Sequence, residues 1–82
     1  MATEVIIYST TWCGFCKMAK NYMKQLGVQF QEKDVEQDPA AGNEAVQKSG
    51  QMGVPVIDIG GTIIVGFDKP AIDHALTAHA LI

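Results

Sequence analysis

The chain reads as an α/β domain, a four-stranded mixed sheet flanked by three helices in the order βαβαββα. Three observations carry that reading. The apolar run Val5-Ile6-Ile7-Tyr8 leads straight into a stretch whose apolar residues recur at helical spacing. Asp38-Pro39 opens a second helix after an alternating segment, with Asp as N-cap and Pro at the first helical position. Two further apolar runs meet at Gly60-Gly61, a tight-hairpin signal. Strands joined through a helix run parallel with a right-handed crossover, whereas hairpin partners run antiparallel, so the sheet is mixed.

Each element has its own signature. Glu4 to Tyr8 is a β-branched and aromatic strand ended by Ser9-Thr10-Thr11. From Cys13 to Leu26, Phe15, Met18, Ala19, Tyr22, Met23 and Leu26 form an apolar helical stripe, and Gly27 supplies the stop. Lys17, Lys20 and Lys24 recur on another face, which reads as solvated. Val28 to Val35 alternates as a half-buried or edge strand does. Ala41, Ala45 and Val46 carry the second helix to Gly50. Val54 to Ile59 and Thr62 to Val65 are the hairpin strands, with Asp58 expected to be exposed beside the turn rather than buried as a proton relay. Asp68 begins the last helix, with Pro70 in its first turn and an apolar stripe of Ile72, Ala75, Leu76 and Ala80.

Composition bounds the function. Eighty-two residues suit one domain over 1–82, and a chain of this size buries about 60–65% of its unfolded surface. A hydrophobic content of 48% is enough for a modest core. Nine acidic residues against six lysines give a net charge of −3, which disfavours nucleic acid as a partner. No apolar stretch reaches the ~18–20 residues of a membrane span. With no basic, apolar leader and too few cysteines for a structural disulfide framework, the cytoplasm is expected; a monomer is also expected.

The two cysteines stand in Trp12-Cys13-Gly14-Phe15-Cys16, at a strand-to-helix junction. There the first sulfur meets the free N–H groups and positive dipole end of the helix, which stabilise its anion. The second sulfur, one turn on, can close a small disulfide ring. Such a Cys-x-x-Cys in a βαβ context reads as a thiol–disulfide exchange site. Cys13 is the expected nucleophile, reachable because Thr10, Thr11 and Trp12 sit on an exposed loop. Cys16 is the expected resolving thiol, more buried. Lys17 is close enough to favour the thiolate slightly. His74 and His79 could complete a zinc site with the cysteines. Their separation in sequence and ordinary helical spacing favour plain surface residues, so no metal site and no tightly bound cofactor are expected.

The strand and helix order, the Cys-x-x-Cys after the first strand and Val54-Pro55 before the third resemble the thioredoxin fold in its short, glutaredoxin form. Ser49-Gly50-Gln51-Met52-Gly53-Val54-Pro55 and then Val65-Gly66-Phe67-Asp68 are similar to the small glutaredoxin-like proteins of the YruB type. The likeness runs from about Glu4 to about Leu76. It implies a cis bond before Pro55, facing the cysteines, with the Val54 backbone free to pair with a peptide-like substrate. It also implies glutathione as a possible co-substrate, held at Val54-Pro55 and by the loop of Gly66, Phe67 and Asp68, whose carboxylate takes the glutamyl amine. Gln51 could add a polar contact. The family often has a lysine where this chain has Thr10, so weaker glutathione binding is expected, leaving room for thioredoxin reductase as electron donor. Trp12 is a thioredoxin-like feature, an indole suited to apolar contact with protein substrates.

Two functions of different class follow from the resemblance. One is a dithiol oxidoreductase acting on protein disulfides or glutathione mixed disulfides through Cys13 and Cys16. The other is a glutathione-ligated [2Fe–2S] carrier, suggested by Cys13-Gly14-Phe15, where no proline follows the nucleophile. One cysteine per chain cannot fill a cluster's ligand positions alone. The second cysteine and the missing lysine anchor favour exchange.

Overall fold

In the computed structural model, which describes residues 3–82, the elements are β1 (Val5–Ser9), α1 (Gly14–Gln25), β2 (Gln31–Asp34), α2 (Pro39–Ser49), β3 (Val56–Ile59), β4 (Thr62–Val65) and α3 (Lys69–Ala78). The sheet order is β2-β1-β3-β4. β2 lies parallel to β1 in the register Ile6↔Gln31, and β3 antiparallel to it in the register Tyr8↔Val56. β4 pairs antiparallel with β3. The expected mixed sheet and element order are therefore present. No helix among the described residues is long and apolar enough to cross a membrane.

Because side chains alternate along a strand, β1 and β3 each feed two cores. Val5, Ile7, Ile57 and Ile59 face α1 and α3, packing with Ala19, Met23, Ile72 and Leu76. Ile6, Tyr8 and Val56 face α2, packing with Ala41 and Ala45. The buried face of α1 is Cys16, Ala19 and Met23. Phe15 and Met18 were expected in the core stripe but stand 64% and 49% exposed. Val46 likewise lies outward on α2. The sheet decides which arc of each helix is buried, and spacing alone leaves that arc ambiguous by one position.

Helix ends explain the remaining shifts in element boundaries. Gly27, at φ +72°, follows the cap of α1, while the Gly27 N–H donates to Lys24 O and the Val28 N–H to Met23 O. Val28 thus completes a Schellman motif, so β2 begins only at Gln31. α3 ends the same way without a glycine. Ala80 takes φ +58°, its N–H donates to Thr77 O, and the Leu81 N–H donates to Leu76 O. Ala80 was expected on the helix stripe and instead is the exposed terminator, with Leu81 supplying the apolar contact. β3 begins at Val56 because Pro55 has no N–H for the ladder.

Asp58 is not the exposed turn residue expected from sequence. Its side chain is 13% exposed, accepts from Lys48 Nζ at 2.7 Å and from the Gly61 N–H at 2.8 Å. Lys48 also donates to the Tyr8 hydroxyl, which donates to Glu44, itself paired with Lys33. The hydrogen bond to Asp58 and then that to Tyr8 raise the Lys48 pKa. This network lies on the α2 face of the sheet, away from the α1 face where Cys16 is buried, so it cannot relay protons to that thiol. Asp58→Ala should cost about 1 kcal/mol in urea unfolding through the lost hydrogen bonds, yet leave disulfide-exchange rates unchanged within twofold. A large rate loss would restore the relay reading.

Candidate active site

β1 ends at the buried Ser9, and after the buried Thr10 the chain turns through Thr11 and Trp12 to enter α1. The N-cap of that helix is Cys13 itself, at φ −83° and ψ 114°. Where a serine or aspartate oxygen would ordinarily accept, the Cys13 sulfur accepts from the Cys16 N–H at 3.1 Å. That donor and the helix dipole both favour negative charge on Sγ. Cys13 is only 7% exposed and its Sγ lies 3.9 Å from the Val54 carbonyl oxygen. The sulfur is therefore recessed between the helix start and the Val54 backbone, less open than the sequence suggested.

Cys16 is fully buried. Burial first, then hydrogen bonding to Cys13, pushes its thiol up to about 12. The two cysteines are free thiols. The geometry thus separates one sulfur at the helix cap from another enclosed behind it, whose thiol is raised. Lys20 is a lysine whose charge acts on Cys16, while also pairing with Glu32 at 2.6 Å. Lys17 is exposed and donates its backbone N–H to Cys13 O.

The Val54–Pro55 bond is cis and Pro55 is buried. The Pro55 carbonyl accepts from the Gly66 N–H at 2.8 Å, with Gly66 at φ +80°, a conformation that favours glycine. This one bond ties the loop of Gly66, Phe67 and Asp68 to the segment facing Cys13. Asp68 caps α3 by accepting from the Ala71 N–H at 3.3 Å and remains exposed. Phe67 is half-buried, packed against the α1 and α3 core with its ring edge-on to Tyr22 at 6.0 Å. Gln51 is exposed and folds over Gly53.

Thr10 departs most from expectation. It is 4% exposed and its hydroxyl is buried with no hydrogen-bond partner. Its side chain therefore gives the surface neither a cation nor an accessible hydroxyl. Trp12 is 70% exposed, as anticipated, but its indole N–H donates to Glu36 Oε1 at 2.7 Å. Glu36 was not singled out from sequence. It sits in the polar segment between β2 and α2, and nothing local marks it as a partner for a tryptophan twenty-four residues away. His79 lies against Gly60 and Thr62 at the end of β1 far from the cysteines, and His74 is exposed. Among the described residues no cluster of three or more His, Cys, Asp or Glu could hold a metal.

A groove of about 560 Å³ opens beside this site, lined by Thr10, Trp12, Glu36, Met52, Gly53 and Val54 on one side and by α2 on the other. A thiol–disulfide site with a cleft alongside it can seat a substrate while sulfur is exchanged.

Comparison with known proteins agrees with this chemistry. The glutaredoxin family model matches residues 5–64. A glutaredoxin-like protein encoded in the rubredoxin operon of Clostridium pasteurianum is 46% identical over 70 residues, covering 85% of this chain and 93% of its own. A glutaredoxin of Pseudomonas aeruginosa is 41% identical over 64 residues, 78% of this chain and 76% of its own. Among solved structures, a buckwheat glutaredoxin–glutathione complex superposes with a TM-score of 0.77 at 29% identity, over 98% of this chain and 82% of that one. The thioredoxin-like protein BC3987 superposes with a TM-score of 0.84 at 26% identity, over 89% of this chain and 100% of that one. The chain belongs to the glutaredoxin family and is a thiol–disulfide oxidoreductase.

Proposed function

We propose that this chain is a single-domain cytoplasmic dithiol reductant in which Cys13 attacks disulfides and Cys16 resolves the product. The observation that supports it most is the division of labour at the α1 start. The Cys13 sulfur caps the helix, and Cys16 is enclosed behind it with its thiol raised.

In the first step the Cys13 thiolate attacks one sulfur of a substrate disulfide. The substrate S–S bond breaks, one half leaves as a thiolate and the other is joined to Cys13. Cys16 then loses its proton and attacks the Cys13 sulfur. The mixed disulfide breaks, the second half leaves as a thiolate, and a Cys13–Cys16 disulfide remains. Two electrons have passed from the protein to the substrate. An external reductant, glutathione or thioredoxin reductase, restores the dithiol. The raised Cys16 pKa keeps the resolving thiol protonated and its nucleophilicity low until it lies against a mixed disulfide.

The substrates we infer are protein disulfides and glutathione mixed disulfides, acted on by a monomer. The Val54 carbonyl beside Cys13 Sγ puts peptide backbone at the reacting sulfur. The tie between Pro55 and Gly66 holds the Asp68 loop close by, where a glutamyl amine could pair with an exposed carboxylate. Thr10 weakens the glutathione side of this reading, because its side chain is buried and uncharged.

Brief alkylation of the reduced protein at neutral pH should label Cys13 at least tenfold faster than Cys16, read by peptide mass mapping. Cys13→Ser should abolish exchange, and Cys16→Ser should accumulate mixed disulfides. Faster labelling of Cys16 would reverse the roles. The protonation of Cys16 also predicts a pH dependence of stability. The folded thiol holds its proton to about 12, against about 8.5 in the unfolded chain. The associated stabilisation is complete below about pH 8.5 and is lost as pH rises towards 12. Urea unfolding of the reduced protein should show a steeper alkaline loss than Cys16→Ala, and equal slopes would contradict the shift. Thr10→Val removes an unpartnered buried hydroxyl and should stabilise by about 1 kcal/mol. It should leave glutathione-dependent turnover unchanged, and a severalfold fall would give Thr10 a contact in the substrate complex.

A further inference from the structure

The groove beside Cys13 has walls that are mostly apolar and a single ionisable lining residue. Trp12, Val35, Pro39, Val46 and Met52 supply the apolar surface, and Glu36 the charge. Its volume of about 560 Å³ lies within the range of specific ligand clefts. Its lining includes Val54, whose carbonyl is 3.9 Å from Cys13 Sγ, which sets an occupant near the reacting sulfur.

The charge of the groove is uncompensated. The segment from Asp34 to Asp38 carries three carboxylates. Among the described residues the ion pairs are Lys20–Glu32, Lys33–Glu44 and Lys48–Asp58, so no lysine pairs with this segment. Asp34 Oδ1 accepts from the Glu36 and Gln37 N–H groups, and Asp38 Oδ1 from those of Ala40 and Ala41. Those two carboxylates are each anchored to the backbone through one oxygen, and neither lines the groove. Among the described residues the Glu36 carboxylate accepts from the indole N–H of Trp12 alone, through Oε1, which fixes it beside an indole that is 70% exposed. A lysine or arginine suits this pairing of groups. Its aliphatic stem would pack on the apolar wall while its cationic head meets the Glu36 carboxylate beside the indole.

We propose that the groove receives a disulfide-bearing peptide segment with a lysine or arginine close to its cysteine, and that Glu36 is the residue that selects for it. This rests on the oxidoreductase reading and names the substrate class of the same site. The carboxylate that attracts a cationic peptide also repels an anionic one, so discrimination comes from both directions.

The test is single-turnover reduction of three short peptide disulfides that differ only in having Lys, Gln or Glu beside the cysteine. The expected order is Lys, then Gln, then Glu, with Lys ahead of Glu by about three- to tenfold at low salt, as one partly exposed ion pair allows. The preference should shrink at high salt. Glu36→Gln keeps an acceptor for the indole and should flatten the series, and Glu36→Lys should invert it. Glu4→Gln makes the same change in net charge at the opposite end of β1 and should leave the series intact. A series unchanged by Glu36→Gln, or shifted equally by Glu4→Gln, overturns the selection role. Failure to reduce even the Gln peptide would count against the oxidoreductase reading itself.

Discussion

A sulfur atom caps the helix on which the whole site is built. In most helices the first free N–H groups are met by serine, threonine or aspartate oxygens. Here the Cys13 sulfur accepts from the Cys16 N–H, so the contact that ends the turn after β1 also fixes the spacing of the two cysteines. Cap and redox pair are one structure. A change that frays the first turn of α1 would alter the sulfur's electrostatics along with the helix, because one N–H serves both.

That arrangement depends on a sheet with two faces used differently. On the α1 and α3 face, the buried side of α1 is Cys16, Ala19 and Met23, the last two packed against residues of β1 and β3. The α2 face carries the polar network from Glu44 through Tyr8 and Lys48 to Asp58. Burial also raises the Tyr8 pKa, which keeps that hydroxyl neutral as a link between Lys48 and Glu44. Lys48, Glu44 and Asp58 are thereby held on the face away from Cys16, whose thiol is raised by burial first and then by its hydrogen bond to Cys13.

Much of this was legible in the chain because the signals are local. Asp38 before Pro39, the glycines at 27 and 50, and Asp68 before the last helix each mark a boundary through the backbone conformation or hydrogen bond they supply within a few residues. The cysteine pair was legible for the same reason. What escaped the sequence reading depends on elements far apart meeting. Thr10 is buried because β1 is central and other segments close over its end. Asp58 is drawn inward by a lysine on α2. Phe15 and Met18 fit the helical spacing of a core and are left outside, because the sheet contacts the neighbouring arc of α1. Glu36 carries no motif, and its relation to Trp12 exists only once β2 is laid beside β1.

The depth of Cys16 has a chemical consequence under oxidative stress. Peroxide is small enough to reach a Cys13 sulfur in a residue that is 7% exposed, and its attack would leave a sulfenic acid, the first and reversible rung of oxidation. Cys16, one helical turn away and itself sheltered from the oxidant, would condense with that sulfenic acid, releasing water and leaving the ordinary disulfide. The injury is thereby converted into the normal oxidised state of the protein before the irreversible sulfinic stage is reached. A chain with the second thiol exposed could lose both sulfurs to the same oxidant.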